Sequence, residues 1–475
     1  MHPPHADVAM ISRFTVLTAI FVIGAQAYAR GVSPYLPLNL SPEMDRRIER
    51  LMILADKPVL TRPIAAAAVL DALPAACERD PVLCEQVRRY LAGFMKTAGI
   101  AHASLTATAG SDKPIALPNR HGMTADSGYE ASIQTYWQPS DHVLISAGVV
   151  AYEDETVPTG SMLSIGREYF QLDIGFRGHW LSPMTDSAML IGTQAQSMPS
   201  VTVSNYTPLT RFGLRYEFFI AEMSESNQIR YQDGFTAGNP QLAGMHLSIE
   251  PVSGWSLGFN RLMQYGGGDR PDSFSDLMDA FFNPAKFDNT VDGQEFGNQL
   301  ASITSTWLMP GPLPAAVYFE YAGEDTSASS NYHLGNVALS GGVHFPTLWQ
   351  KYDLTLEVSE WQNGWYVHGI YQDGLRHEGH VIGHWGGDWR ELNDAVGATS
   401  FMARLAWEPR FSGLLEITGR TLDNESYTAP NYERAYTLDV RYSRSWQDFF
   451  VGAEINLGSD VFGTSYSRVS GFIRF

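Results

Sequence analysis

Arg468-Val469-Ser470-Gly471-Phe472-Ile473-Arg474-Phe475 closes the chain, and its reading decides the fold. Val469, Gly471, Ile473 and Phe475 fall on one face, and Arg468, Ser470, Phe472 and Arg474 on the other. Alternation at period two belongs to an extended strand, whose side chains point to opposite faces in turn. The pattern recurs upstream. Tyr129, Ala131, Ile133, Thr135 and Trp137 alternate with Glu130, Ser132, Gln134 and Tyr136. Phe212, Leu214, Tyr216 and Phe218 alternate with Arg211, Gly213, Arg215 and Glu217. Further runs of the same kind are Tyr352 to Ser359, Phe401 to Glu408, Tyr436 to Ser443 and Phe449 to Leu457.

Periodicity alone does not say which face is inside. A soluble sandwich buries its apolar face, whereas a membrane barrel turns it to lipid. The two chain ends favour the barrel. Residues 1–29 read as a secretory signal peptide: Arg13, an apolar run from Thr15 to Gly24, then small-residue cleavage sites at Ala25-Gln26-Ala27 and Ala27-Tyr28-Ala29. The terminal strand ending in Phe475 resembles the closing strand of Gram-negative outer-membrane barrels, which the outer-membrane assembly machinery reads. No later segment has the roughly 18–20 continuous apolar residues of a membrane helix. Strands in lipid must close on themselves, because an open edge leaves backbone groups unpaired. The expectation is therefore an all-β transmembrane barrel over residues 101–475, set in the lipid of the cell outer membrane.

Residues 30–100 read differently. Ser41-Pro42-Glu43 has the cap, proline and acid of a helix start. Met44, Ile48, Leu51, Met52 and Ala55 follow at helical spacing. Arg62-Pro63 is expected to open a second helix and Asp80-Pro81 a third. In an exported barrel such helices lie in the periplasm or block the lumen. Cys77 and Cys84, the two cysteines of the chain, fall here. An oxidising compartment and the turn implied by Pro81 predict a disulfide between them.

Several stretches together resemble the capsule-assembly Wzi family. They are Ser41 to Arg50, Pro58-Val59, Arg62-Pro63-Ile64, Gly166-Arg167-Glu168, Trp180-Leu181-Ser182-Pro183 and Arg261 to Pro271. Gly297 to Ala301, Gly323-Glu324-Asp325 and Tyr371-Gln372-Asp373-Gly374 follow in the family's order. Each motif alone is weak, but the ordered series spans nearly the whole mature chain. The resemblance implies a barrel of about eighteen antiparallel strands with an N-terminal periplasmic α-helical bundle. It also implies a lectin-like role, attaching capsular or extracellular polysaccharide to the cell surface, with no enzymatic activity and no cofactor.

The residues themselves carry little chemistry. His377 and His380 have Glu378 between them but no helical pattern around them, so they do not form the two-histidine zinc motif, and no metal is expected. Asp288, Asp292, Gly293 and Glu295 sketch a calcium loop, but its twelfth position is Gln299, where a bidentate Glu is required. Gly266-Gly267-Gly268-Asp269-Arg270-Pro271 reads as a turn before it reads as an anion cradle. Glu153-Asp154-Glu155 reads as a solvated loop, and Gly342-Val343-His344 has no companion serine motif.

Sugar recognition needs aromatic faces beside hydrogen-bonding groups. The glycine-rich stretch with Tyr371, Asp373, Arg376, His380, Trp385, Asp388, Trp389 and Arg390 has that composition and interrupts the alternation, which makes it the candidate polysaccharide site. Its competitor is an aromatic girdle at the lipid boundary. A net charge of -19 argues against nucleic acid as a partner and opposes an acidic polymer, so local arginines, for example Arg376 and Arg390, or bridging cations must compensate. The alternative function is a porin or uptake channel, which requires a continuous polar lumen.

Overall fold

Burial settles which face is inside. On the last strand Arg468, Ser470, Phe472 and Arg474 are buried, while Val469 and Phe475 are exposed. Across the sheet Ile133, Phe259, Phe319, Phe401, Leu438 and Ile455 point out. Ser302, Thr304, Glu320, Thr355, Glu357 and Glu454 point in. Apolar residues outside and polar residues inside are the inverse of a soluble sandwich, and this is the pattern lipid requires. The computed structural model describes residues 31–475 except 154, 284–295, 325–332, 410–411, 427–430 and 448. The signal-peptide reading, the calcium-like residues Asp288 to Glu295, Asp154 and Asp325 lie outside the described residues.

Nineteen strand segments form one antiparallel sheet. Glu155–Val157 and Met162–Arg167 both pair with Val143–Tyr152 and are one interrupted strand, so the barrel has eighteen. It closes where Ala98–Gly110 meets Ser465–Arg474, in a register running from Ser104 opposite Arg474 to Gly110 opposite Arg468. Closure leaves no sheet edge in lipid. One predicted strand is shorter than its pattern. The run from Phe212 begins as a strand only at Arg215, because Thr210 and Gly213 take positive φ (63° and 66°) and turn the chain.

The connections differ at the two ends. One end has short turns, such as Asp141-His142, Ser253-Gly254 and 349–351. The other carries long loops, including 111–128, 176–199 and 362–397. Three helices, α1 (Pro42–Leu54), α2 (Ala66–Arg79) and α3 (Pro81–Leu91), sit at the short-turn end. There Val32 N donates to Asp141 O at 2.6 Å, Ser253 Oγ to Asp56 at 2.7 Å and Arg79 to Pro310 O at 2.9 Å. Ile48, Leu51, Val69, Val87 and Leu91 pack together between the helices. Asp80 caps α3 by accepting Leu83 N at 3.0 Å. Ser41 makes no such side-chain cap on α1. Nor does Arg62-Pro63 open α2, which starts at Ala66. The Arg62 N–H and C=O are instead bonded to Trp180, each at 3.0 Å, and this holds the chain extended there.

Helix α1 also reaches the inner wall. Ser443 Oγ donates to Glu43, Arg46 lies 3.7 Å from Glu416, and Arg404 donates to Glu49 at 3.3 Å. Ile53 packs with Met184 of loop 176–199 and with Leu308, Ala316 and Tyr318 of the wall. Helix α1 and a long loop thus meet at the inner wall of the barrel.

Two outcomes test this architecture. Ile455 faces outward opposite Val440, between the rim-side Tyr436 and the turn-side Trp446. Ile455→Arg should destabilise folding into lipid vesicles by about 2–4 kcal/mol, the range for arginine on a lipid face near the bilayer midplane. An unchanged folding free energy would contradict the placement. Cys77 and Cys84 stand across the α2–α3 turn with Cα atoms 5.1 Å apart, inside the range a disulfide needs. Non-reducing peptide mapping of the folded protein should recover them linked, and free thiols at both positions would refute the bridge.

Candidate functional site

The long loops do not stand off the barrel. Loops 111–128, 176–199 and 362–397 contribute Leu117, Met123, Leu181, Met189, Leu190, Ile191, Leu375, Val381 and Ile382 to one buried cluster. Phe219, Leu242, Leu262, Leu300, Leu422 and Tyr466 of the inner wall belong to the same cluster. These inward apolar residues lie where the loops fold in. The loops therefore form a plug whose core is shared with the inner wall.

The predicted sugar-binding stretch is part of this plug, and the structure divides its residues. Trp385 is 1 % exposed and donates Nε1–H to Asp186 at 3.0 Å. Trp389 is 3 % exposed and donates to Ala116 O at 2.9 Å. The two rings meet edge to face at 5.2 Å. Tyr371 is buried with its hydroxyl on Gly266 O at 3.0 Å, and Arg390 spends its guanidinium on the carbonyls of Val396 and Trp365. A buried ring offers no face to a polymer: Trp385 and Trp389 lie in the buried cluster of the plug, and Tyr371 in a smaller one with Ile229 and Ile370. Arg390 is likewise a plug strut.

Of the remaining four, Asp373, Arg376 and His380 are half-buried, whereas the Asp388 carboxylate is buried beneath Arg376 and His380. Asp388 is their hub. One of its oxygens accepts Arg376 Nη1 at 2.6 Å and Val381 N at 2.8 Å. The other accepts Gln194 Nε2 at 2.7 Å and faces His380 Nδ1 at 3.0 Å. Burial alone would raise this carboxyl, but the His380 hydrogen bond and the Arg376 charge outweigh it and hold it below the usual carboxylate range. Asp373 accepts the Ser226 hydroxyl, which ties the stretch to the hairpin of Ser226–Tyr231 and Gly234–Gly238. Around them Glu378 and Gly379 are exposed, and His368 and Gln372 half-exposed.

Other sequence candidates resolve into structure. His377 opposes His380 across a two-residue ladder and accepts Ser224 N at 2.9 Å. Among the described residues no group of three or more His, Cys, Asp or Glu side chains is placed to hold a metal ion. Gly266, Gly267 and Gly268 all take positive φ in a tight turn, and Arg270 donates to Arg230 O at 3.0 Å. A cavity of about 170 Å³ lies between α1 and loop 176–199, lined by Asp45, Glu49, Arg62, Trp180 and Thr185. It is smaller than the roughly 300–1,000 Å³ of an ordinary ligand pocket.

Comparison with known proteins agrees with this geometry. The family described as capsule assembly protein Wzi matches residues 127–395, more than half of the chain. The chain belongs to that family. A Klebsiella pneumoniae protein described as an uncharacterized 55.8 kDa protein in the cps region is 35% identical over 102 residues. That match spans 20% of either chain. The solved structure of Wzi, described as an outer membrane protein involved in group 1 capsule assembly in Escherichia coli and a carbohydrate-binding β-barrel, superposes with a TM-score of 0.70. Identity is 15%, with 94% of this chain and 99% of that one covered. At that identity the likeness shows the fold: a closed antiparallel β-barrel of eighteen strands with helices near its N-terminus. Pseudomonas aeruginosa OccK5 (OpdH) reaches a TM-score of 0.47 at 9% identity, over 80% of this chain and 96% of that one, which is too weak to carry an argument.

Sequence reasoning missed the other half of the plug. Asp186 joins Trp385 to the barrel wall through Arg420 Nε at 2.7 Å, and Arg420 also donates to Asp439 at 2.6 Å. The available signal was the stretch 184–198, rich in Met, Ser, Ala and Gln and free of alternation.

The plug has a built-in acid sensitivity. Burial pushes the His384 and His377 imidazoles down to about 4, and lowers His179 as well. The unfolded loops would titrate near 6.5. Folding therefore favours the neutral rings, and their contribution is fully present above about pH 6.5. It is lost progressively as the pH falls toward the folded values. Hydrogen exchange in 362–397 should accelerate between pH 7.5 and pH 4.5, after correction for the intrinsic rate, while exchange in the barrel strands stays constant. Equal corrected rates at both pH values would contradict the assignment.

Proposed function

We propose that the protein binds capsular or extracellular polysaccharide on the outward face of its plug and holds the polymer at the cell surface, without transforming it. The observation that carries this reading is the single buried cluster joining three long loops to the inner wall. It gives the barrel a surface where a channel would need an opening, which disfavours the porin reading. Family membership points the same way. Short turns face the periplasm in barrels of this class, so the helical region 30–100 lies on the periplasmic side and the plug loops outside. Arg376, His380, Gln372, Asp373 and the exposed Glu378 are polar groups of the candidate stretch within reach of solvent. Phe475 extends the closing strand, its N–H on Ala103 O at 2.8 Å and its ring on the outer wall beside Phe449. That terminal aromatic is the segment we infer the assembly machinery reads.

Deleting the gene and measuring cell-bound and released polysaccharide separately tests the proposal. Total polymer should be unchanged and the bound fraction lower, with retention restored by the wild-type gene. Loss of polymer synthesis would overturn the attachment reading. So would a defect confined to uptake of small solutes, which would put the channel in its place.

A further inference from the structure

Helix α4 (Phe274–Phe282) lies on the outside of the barrel. The neighbouring wall fixes this. Phe259 is exposed on the outer face of Trp255–Tyr265, and alternation places Arg261, Met263 and Tyr265 on the same face, nearer the long-loop rim. Leu277 and Ala280 of α4 are buried against Met263, Tyr265, Ala243 and Phe296. Arg261 ties down the far end of the helix, donating to Phe281 O at 2.6 Å and Ala280 O at 3.1 Å. A cation there complements the helix C-terminus. Ser273 caps the other end by accepting Asp276 N at 3.1 Å.

One apolar stripe of α4 is thus used against the wall, and a second is not. Phe274, Met278 and Phe282 recur at i, i+4 and i+8, so they line one side of the helix. Phe274 is 54% exposed and Phe282 67%. Ser275 and Asp276 lie on the remaining polar side, both exposed. The uncovered stripe continues a surface already assigned. Phe218, Phe259, Ile303 and Tyr321 of the adjoining strands are outward-facing members of the lipid belt, and Phe259 is one strand repeat from Arg261.

We propose that α4 is an interfacial helix that seats Phe274, Met278 and Phe282 among the lipids of the outer leaflet at the barrel rim. A helix with an apolar side and a polar side lies in the membrane surface, with its apolar residues at the boundary between headgroups and acyl chains. Here one half of the apolar side grips the barrel and the other half grips lipid. The partner is the bilayer, so this inference is independent of polysaccharide binding.

The test uses the full mature protein in phosphatidylcholine vesicles containing lipopolysaccharide. Phe274→Cys, Phe282→Cys and Ser275→Cys are each spin-labelled, with the protein lacking the added cysteine as background, and only heat-modifiable, folded material is measured. Collisions with oxygen, which dissolves among acyl chains, are compared with collisions with a water-soluble nickel chelate. The oxygen-to-nickel ratio should be several-fold higher at 274 and 282 than at 275. Equal ratios at the three positions would place the helix in water and overturn the proposal. Spin–spin broadening at 274 and 282 that disappears on dilution with unlabelled protein would overturn it too, because the stripe would then be covered by a second copy of the chain.

Discussion

A bilayer core offers no water to a backbone amide, and the structure follows from that constraint. Every strand must find a partner on both sides, which closes the sheet. Lipid takes the apolar face, so the polar half of each alternating strand is turned inward. In a wide open barrel water would solvate that half. Here the lumen is filled with protein, and the inward charges need protein partners, because a buried unpaired charge is costly.

Much of the rest can be read as the supply of those partners. Arg441 spans Glu416 and Glu454 at 3.0 Å each within the wall. Elsewhere the wall is served by what fills it. Arg120 of loop 111–128 reaches Glu130 at 3.2 Å and Glu454 at 3.1 Å. Asp186 of loop 176–199 meets Arg420, and Glu49 of α1 meets Arg404. Arg177, at the start of the same loop, sits between Asp173 at 3.2 Å and Glu217 at 2.6 Å. Buried pairs of this kind are weak evidence for net stability, since desolvation offsets much of the attraction. Breaking one is another matter, because it strands a charge. The helices and loops are therefore held in place less by what they gain than by what their removal would leave unpaired.

The strands were legible in the sequence because period-two alternation is local. Tyr352 to Ser359 and Phe449 to Leu457 could be read without knowing their neighbours. The direction of the faces was not local, and it came from the chain ends. Pairing was illegible for the same reason: Glu49 and Arg404 are 355 positions apart. The run from Phe212 failed at one glycine, whose positive φ no alternation rule can see. Trp385 and Trp389 are a different case. Aromatic, glycine-rich composition marks a loop with a special task, but a plug core and a sugar platform call for the same residue types. Burial alone separates them, and burial depends on a partner loop some 200 residues earlier in the chain.

That distinction bears on how such a protein could retain a polymer. With the rings withdrawn into the plug, the surface left by this stretch is polar, and each contact to a sugar repeat would be exchanged against water. Single-site affinity from such contacts is modest, since the net worth of a hydrogen bond in water is about 0.5–1.5 kcal/mol. A long polysaccharide changes the arithmetic. Once one repeat is held, the next is presented to a neighbouring barrel at high effective concentration, and weak contacts multiply into retention. A rigid face suits this use, because a plug already packed against the wall has little ordering entropy left to lose at each contact. Burying the tryptophans is then consistent with polymer binding. In the proposed attachment role they would fix the face, and the number of barrels in the membrane would supply the strength.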